Sequence, residues 1–209
     1  MLWLFPNLLA DLESHRDYLP KSVDVAVAKL TGLIAEHEKQ GRRFLRRFIF
    51  EPPKTFRDIP IRQLNEHSTD ADKRKLIEEI KQGGCWGMVS DCGMPCLADP
   101  GADLVLMARR EGIEVETFSG PSSILFAIVL SGLGGQHFTF HGYLPKEETA
   151  LVHHLKQIEK VKQKMNEIAG MSSNSNASCK CCCFNSINHH ASVDKRGLFF
   201  WKTPSAIKA

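Results

Sequence analysis

At 209 residues the chain has room for one ordinary domain or two small ones, and its 43% hydrophobic content is enough to build a core. A net charge of +3 permits an RNA partner but lacks the clustered excess of a strong nucleic-acid binder. Apolar runs such as Ile124 to Leu130 are too short to span a bilayer, and no basic region precedes the opening Met1–Phe5 stretch, so no membrane span or signal peptide is expected and the chain reads as cytoplasmic.

In chain order, Leu2 to Phe5 is a short apolar run stopped by Pro6 and reads as a buried first strand. Val23 to Phe48 has helical spacing interrupted by a strand at Leu33–Ala35, and Glu51-Pro52-Pro53 breaks the pattern. Thr69 and Asp72 stand at capping-box spacing, with Asp in place of the usual Glu or Gln. Leu76, Ile77 and Ile80 then make one apolar helical face, which Gly83-Gly84 ends. Cys85 to Val89 reads as a strand, followed by a glycine- and proline-rich loop, a helix over Ala102–Arg110 and a strand over Ile113–Phe118. A second such loop, Ser119 to Ser122, opens a helix ending near Gly132. This alternation predicts an α/β fold with a parallel sheet and loops gathered at the carboxyl ends of its strands.

Gly134-Gly135 reads as a hinge into a second unit, with a strand at Phe138–Tyr143 and a charged helix from about Lys146 to Ile168. The division expected is an N-terminal cofactor-binding α/β domain over 1–133, the start of a second α/β domain over 134–170, and a divergent, disordered tail over 171–209. Met171 to Asp194 is rich in Ser, Asn and Cys without periodicity, so no packed structure is assigned to it.

The first loop reads Ser90-Asp91-Cys92-Gly93-Met94-Pro95-Cys96-Leu97-Ala98-Asp99-Pro100-Gly101. Glycines let backbone approach a ligand closely, and a carboxylate just beyond a strand can accept from a ligand's hydroxyl or amine. Asp91 is equally readable as a turn former. The second loop reads Ser119-Gly120-Pro121-Ser122-Ser123, where free N–H groups at a helix start can hold an anion, or a serine simply caps the helix. Two such loops on successive strands argue for one shared pocket.

These words carry a resemblance. Gly87-Met88-Val89-Ser90-Asp91-Cys92-Gly93-Met94-Pro95 and Ala98-Asp99-Pro100-Gly101, then Gly120-Pro121-Ser122-Ser123, Ser131-Gly132 and Phe140-His141-Gly142-Tyr143-Leu144-Pro145, resemble the tetrapyrrole methylase superfamily in content and order. The nearest branch 2′-O-methylates a cytidine ribose of small-subunit ribosomal RNA. The resemblance implies a two-domain fold with S-adenosylmethionine in the cleft, no membrane association, a small-ribosomal-subunit RNA partner and a homodimer as one assembly option. It further implies cofactor contacts from Leu8 or Leu9, from Asp91, Gly93, Met94 and Pro95, and from Gly120, Ser122, Ser123 and Ile124. A tetrapyrrole precursor methylated at carbon is the alternative acceptor, and a truncated, non-catalytic remnant that only binds cofactor is the alternative role.

The sequence also departs from that pattern. Pro6-Asn7-Leu8-Leu9-Ala10-Asp11 keeps the proline of the family's first loop and loses its glycine, and of a Glu-Asp-Thr-Arg segment only Glu36 persists, with His37 in the aspartate's place. The family's second sheet would need residues that the Ser/Asn/Cys stretch replaces, so the part from about Met171 is expected to stem from a frameshifted, truncated or degenerated reading frame. Candidate general bases are Glu36, Glu66 and His67, although each reads more readily as a surface or structural residue. Arg42, Arg43, Arg46 and Arg47 are expected on one helical face, as phosphate contacts or as a solvated basic face. Cys179, Cys181, Cys182 and Cys183 with His189 and His190 lack the paired spacing of a zinc site, so no metal is expected.

Overall fold

A computed structural model of the chain describes residues 1–10, 14–132, 136, 138–168, 180–184, 190–193 and 199–202, the last four groups in backbone alone beyond residue 161. Two compact units divide it, Met1–Ser123 and Ile124–Ala209.

In the first unit, β1 (Leu2–Phe5) leads to α1 (Lys21–Ala28), β2 (Gly32–Ala35) and α2 (Glu38–Leu45). Next come β3 (Ile61–Gln63), α3 (Asp70–Lys81), β4 (Trp86–Val89), α4 (Gly101–Arg110) and β5 (Val115–Thr117). The strands form one sheet in the order β3-β2-β4-β1-β5, and every pairing is parallel. The helical spacing from Val23 to Phe48, with its expected interruption at Leu33–Ala35, is α1, β2 and α2, and Gly32–Ala35 is extended and buried throughout. β3 has no counterpart in the sequence reading: Ile-Arg-Gln is an edge strand with two exposed residues, too short to show a period.

Side chains alternate across this sheet, as extended backbone demands. Phe5, Leu33, Ala35 and Val89 point to one face and pack with Val23, Val27, Phe44 and Leu45 of α1 and α2. Leu2, Ile34, Trp86 and Met88 point to the other and meet Leu76, Ile77 and Ile80 of α3 with Leu104 and Ala108 of α4. Helices therefore cover both faces, which explains why the strands read as continuous apolar runs. The Thr69–Asp72 capping box is present: the Thr69 N–H and hydroxyl donate to Asp72 Oδ2, and the Asp72 N–H donates to the Thr69 hydroxyl at 3.2 Å.

The second unit begins in α5 (Ser123–Leu130) and continues with β6 (Phe138–Tyr143) and α6 (Glu148–Ile168). Within it the His141 and His154 rings stand edge to face, 6.0 Å apart. Then come β7 (Lys180–Phe184), β8 (His190–Val193) and β9 (Phe199–Lys202), in a sheet ordered β6-β7-β9-β8. Within the stretch expected to be a divergent tail, residues 180–184, 190–193 and 199–202 pair as strands. Their backbone order comes from pairing with β6 and with one another, which no local periodicity announces. The Gly134-Gly135 hinge, Cys179 and His189 lie outside the described residues.

Candidate functional site

Strand order decides where the loops meet. Because β1 lies between β4 and β5, the segments leaving the carboxyl ends of these strands are neighbours at the point where the sheet's winding reverses. Asn7, two residues beyond β1, makes an isolated antiparallel bridge with Gly93 from the loop after β4. Gly93 has φ +70, and a Cβ there would stand 3.2 Å from Leu9 and 3.6 Å from the Pro121 carbonyl oxygen, so all three loops touch at this point. Gly120 approaches Pro6 so closely that any Cβ would overlap the proline ring. Close approach requires Gly120, whereas the positive φ favours glycine at Gly93.

Within the first unit the two glycine–proline loops thus approach each other at Gly93 and Pro121, with Gly120 against Pro6. Met94 and Leu9 are half-buried beside them, Pro95 and Ser122 are buried, and Ser123 and Ile124 begin α5. Leu8 differs in character: it is 3% exposed and its side chain belongs to the core cluster of Phe5, Leu33 and Val89.

Asn7 organises the junction. Its carboxamide Nδ2 donates to the Ser90 and Asp91 carbonyls, both at 2.9 Å, and its Oδ1 accepts from the Leu8 N–H at 2.9 Å and from Arg47 at 2.8 Å. Sequence reasoning passed over Asn7, and the only available signal was an amide directly after a strand-ending proline. Arg47 also departs from expectation: it faces this network, and burial, with Arg43 nearby, holds its pKa below the usual value. Arg42 donates to the carbonyls of Phe56 and Ile59, both at 2.9 Å, and pairs with Glu38. Two of the four arginines thus serve the fold, while Arg43 and Arg46 are exposed.

Carboxylates from the segments after β2 and β4 gather beside this junction. Glu36, following β2, accepts the Asp91 N–H on Oε1 at 3.1 Å. His37 Nδ1 lies 3.0 Å from Asp91 Oδ2, and Asp91 Oδ1 is buried without a hydrogen-bond partner. Burial raises the Glu36 pKa above the usual carboxylate range, with the nearby charges of Asp91 and Asp99 adding to the rise. Asp99 is raised by burial too, against hydrogen bonds donated by the Gly101 and Cys96 amides. A shallow hollow with room for little more than one water molecule, lined by Ile34, Leu64, Met88 and Pro95 with the polar Glu36, Ser90 and Asp99, opens here.

The three candidate bases separate clearly. Glu36 is half-buried and lines the hollow, whereas the Glu66 and His67 side chains are 85% and 84% exposed and lie 3.6 Å from each other. Among the described residues no group of three His, Cys, Asp or Glu could hold a metal ion, and no helix is long and apolar enough to cross a membrane.

Comparison with known proteins adds to this geometry. Residues 20–168 match the family model of the tetrapyrrole (corrin/porphyrin) methylases. The chain is 33% identical over 142 residues to the Ribosomal RNA small subunit methyltransferase I of Xylella fastidiosa strain Temecula1, covering 68% of this chain and 47% of that protein. Proteins of the same name from Thermotoga maritima (39% over 87 residues; 42% of this chain, 39% of that protein) and Vibrio cholerae (29% over 161 residues; 77% and 52%) are also similar. The chain spans about half the length of the curated relatives it matches.

Proposed function

Since this chain belongs to the tetrapyrrole (corrin/porphyrin) methylases, we propose that it transfers a methyl group from S-adenosylmethionine to a ribose 2′-hydroxyl of small-subunit ribosomal RNA. The observation that carries the reading is the meeting of the loops after β1, β4 and β5 at Gly93, with Asp91 and Asp99 in the β4 loop itself and Glu36 one strand away after β2. The names of the similar proteins favour ribosomal RNA over a tetrapyrrole precursor as acceptor.

The residues present fit such a ligand. Asp91 Oδ1 is a buried acceptor with no donor among the described residues, and a cofactor hydroxyl or amine would supply one. Gly93 and Gly120 bring backbone where side chains would obstruct. When bound, the cofactor supplies an electrophilic methyl group on a cationic sulfonium. Orientation and exclusion of water then fall to the loops, whose positions are fixed by hydrogen bonds rather than by the ligand. Glu36 is the base of choice: its raised pKa makes it a better proton acceptor than an ordinary carboxylate, and Oε2 has no hydrogen bond among the described residues. Arg43 and Arg46, exposed on and just after α2, supply cationic surface for phosphates.

The test is calorimetric titration with S-adenosylmethionine, followed by transfer of labelled methyl to small ribosomal subunits. Binding with transfer to RNA is expected. Binding without transfer would assign the chain the role of a non-catalytic cofactor binder, and no binding would remove the function altogether.

A further inference from the structure

The geometry points to Asn7 and Arg47 as a paired positioning device that sets the conformation of the Ser90–Gly93 segment, and through it the affinity for cofactor; the last step rests on the function proposed above. Asn7 is 4% exposed, and its carboxamide uses both donors and both acceptor sites. Its backbone N–H donates to the Gly93 carbonyl at 2.8 Å, and the Gly93 N–H returns a bond to the Asn7 carbonyl at 3.2 Å. One residue thus holds the carbonyls of Ser90 and Asp91 and both backbone polar groups of Gly93.

Arg47 decides which way the amide faces. With Oδ1 turned to a guanidinium and to the Leu8 N–H, Nδ2 is left facing the two loop carbonyls. Reversing the amide would set its NH₂ against a cation and its oxygen against two carbonyls, so the charge-assisted bond selects a single orientation. Neither residue needs to touch the ligand. Asn7 has no unused polar group, and its task is to hold Asp91 where Oδ1 stays unsatisfied and Oδ2 meets His37.

Asn7→Asp separates positioning from packing, because it keeps the shape and gains an ion pair with Arg47 while turning an acceptor toward two carbonyls. Arg47→Met removes the orienting charge, and Arg47→Lys restores a donor. Titration with S-adenosylmethionine should show about a tenfold or greater loss of affinity in Asn7→Asp and Arg47→Met, with substantial recovery in Arg47→Lys. Deuterium exchange read on the peptide containing Gly93 should quicken in the first two variants and not in Arg47→Lys. Unchanged affinity and exchange in Asn7→Asp would overturn the inference. So would affinity losses that simply follow the melting temperature, with lysine no better than methionine. If the unsubstituted protein binds no cofactor, the proposed function fails and exchange at Gly93 alone decides whether the pair positions the loop.

Discussion

Glu36 shows how one buried carboxylate ties stability to chemistry. Its folded-state pKa is raised chiefly by burial, against the hydrogen bond from the Asp91 N–H and with the charges of Asp91 and Asp99 adding to the rise, so folding favours its protonated form. That contribution is fully present below the unfolded value and is lost as pH rises through the folded one. Glu36→Gln should therefore melt higher than the parent at pH 7.5, with the gap closing toward pH 4 in thermal melts. Methyl transfer by the same variant should fall roughly 10²- to 10³-fold, the usual weight of a general base. A second residue makes a simpler prediction. The Cys96 thiol is pushed up to about 12, by burial and by Asp99, so it stays protonated at pH 8. Peptide mapping after iodoacetamide treatment at that pH should find Cys96 unmodified in the folded protein and modified once urea unfolds it.

Among the elements, α3 is the one whose limits follow from local chemistry. Its N-terminal amides meet the Thr69–Asp72 box, the Thr69 hydroxyl also binds the Asp72 carboxylate, and the pKa of Asp72 is held below the usual carboxylate value by these bonds. Thr69→Ala should cost about 1 kcal/mol in chemical denaturation, the ordinary loss of an N-cap, and leave cofactor binding unchanged. Helix α2 behaves differently. Its arginines read as one cationic face, yet Arg42 turns back to the carbonyls of Phe56 and Ile59, and Arg47, just past its end, turns to Asn7. Spacing along a helix gives direction around its axis, but the partners waiting in each direction come from distant segments. Even Lys54 is used this way, donating to the Ala28 and Leu30 carbonyls at the end of α1.

At the scale of the molecule, the first unit depends on the β1, β4 and β5 loops closing on one another. Gly120→Ala places a Cβ into Pro6 and should lower stability by about 1–3 kcal/mol, as overpacking does, while weakening S-adenosylmethionine binding more than Thr69→Ala does. Paired denaturation and titration measurements check this. The sequence by itself determined that β1, β4, α3 and α4 exist, because apolar runs, a capping box and glycine stops act over a few neighbouring residues. The words from Gly87 to Gly101 and from Gly120 to Ser123 carried the resemblance to the tetrapyrrole methylases, and residues 20–168 match that family. Only the tertiary structure decided that β1 lies between β4 and β5, that Asn7 is the knot of the loops, and that Glu36 rather than Glu66 or His67 sits in a hollow. It also decided that residues 180–184 and 190–193 of the Ser/Asn/Cys stretch pair as strands. Local rules fix which residues bend or extend. Strand order and desolvation depend on residues dozens of positions apart, and neither leaves a period in the chain.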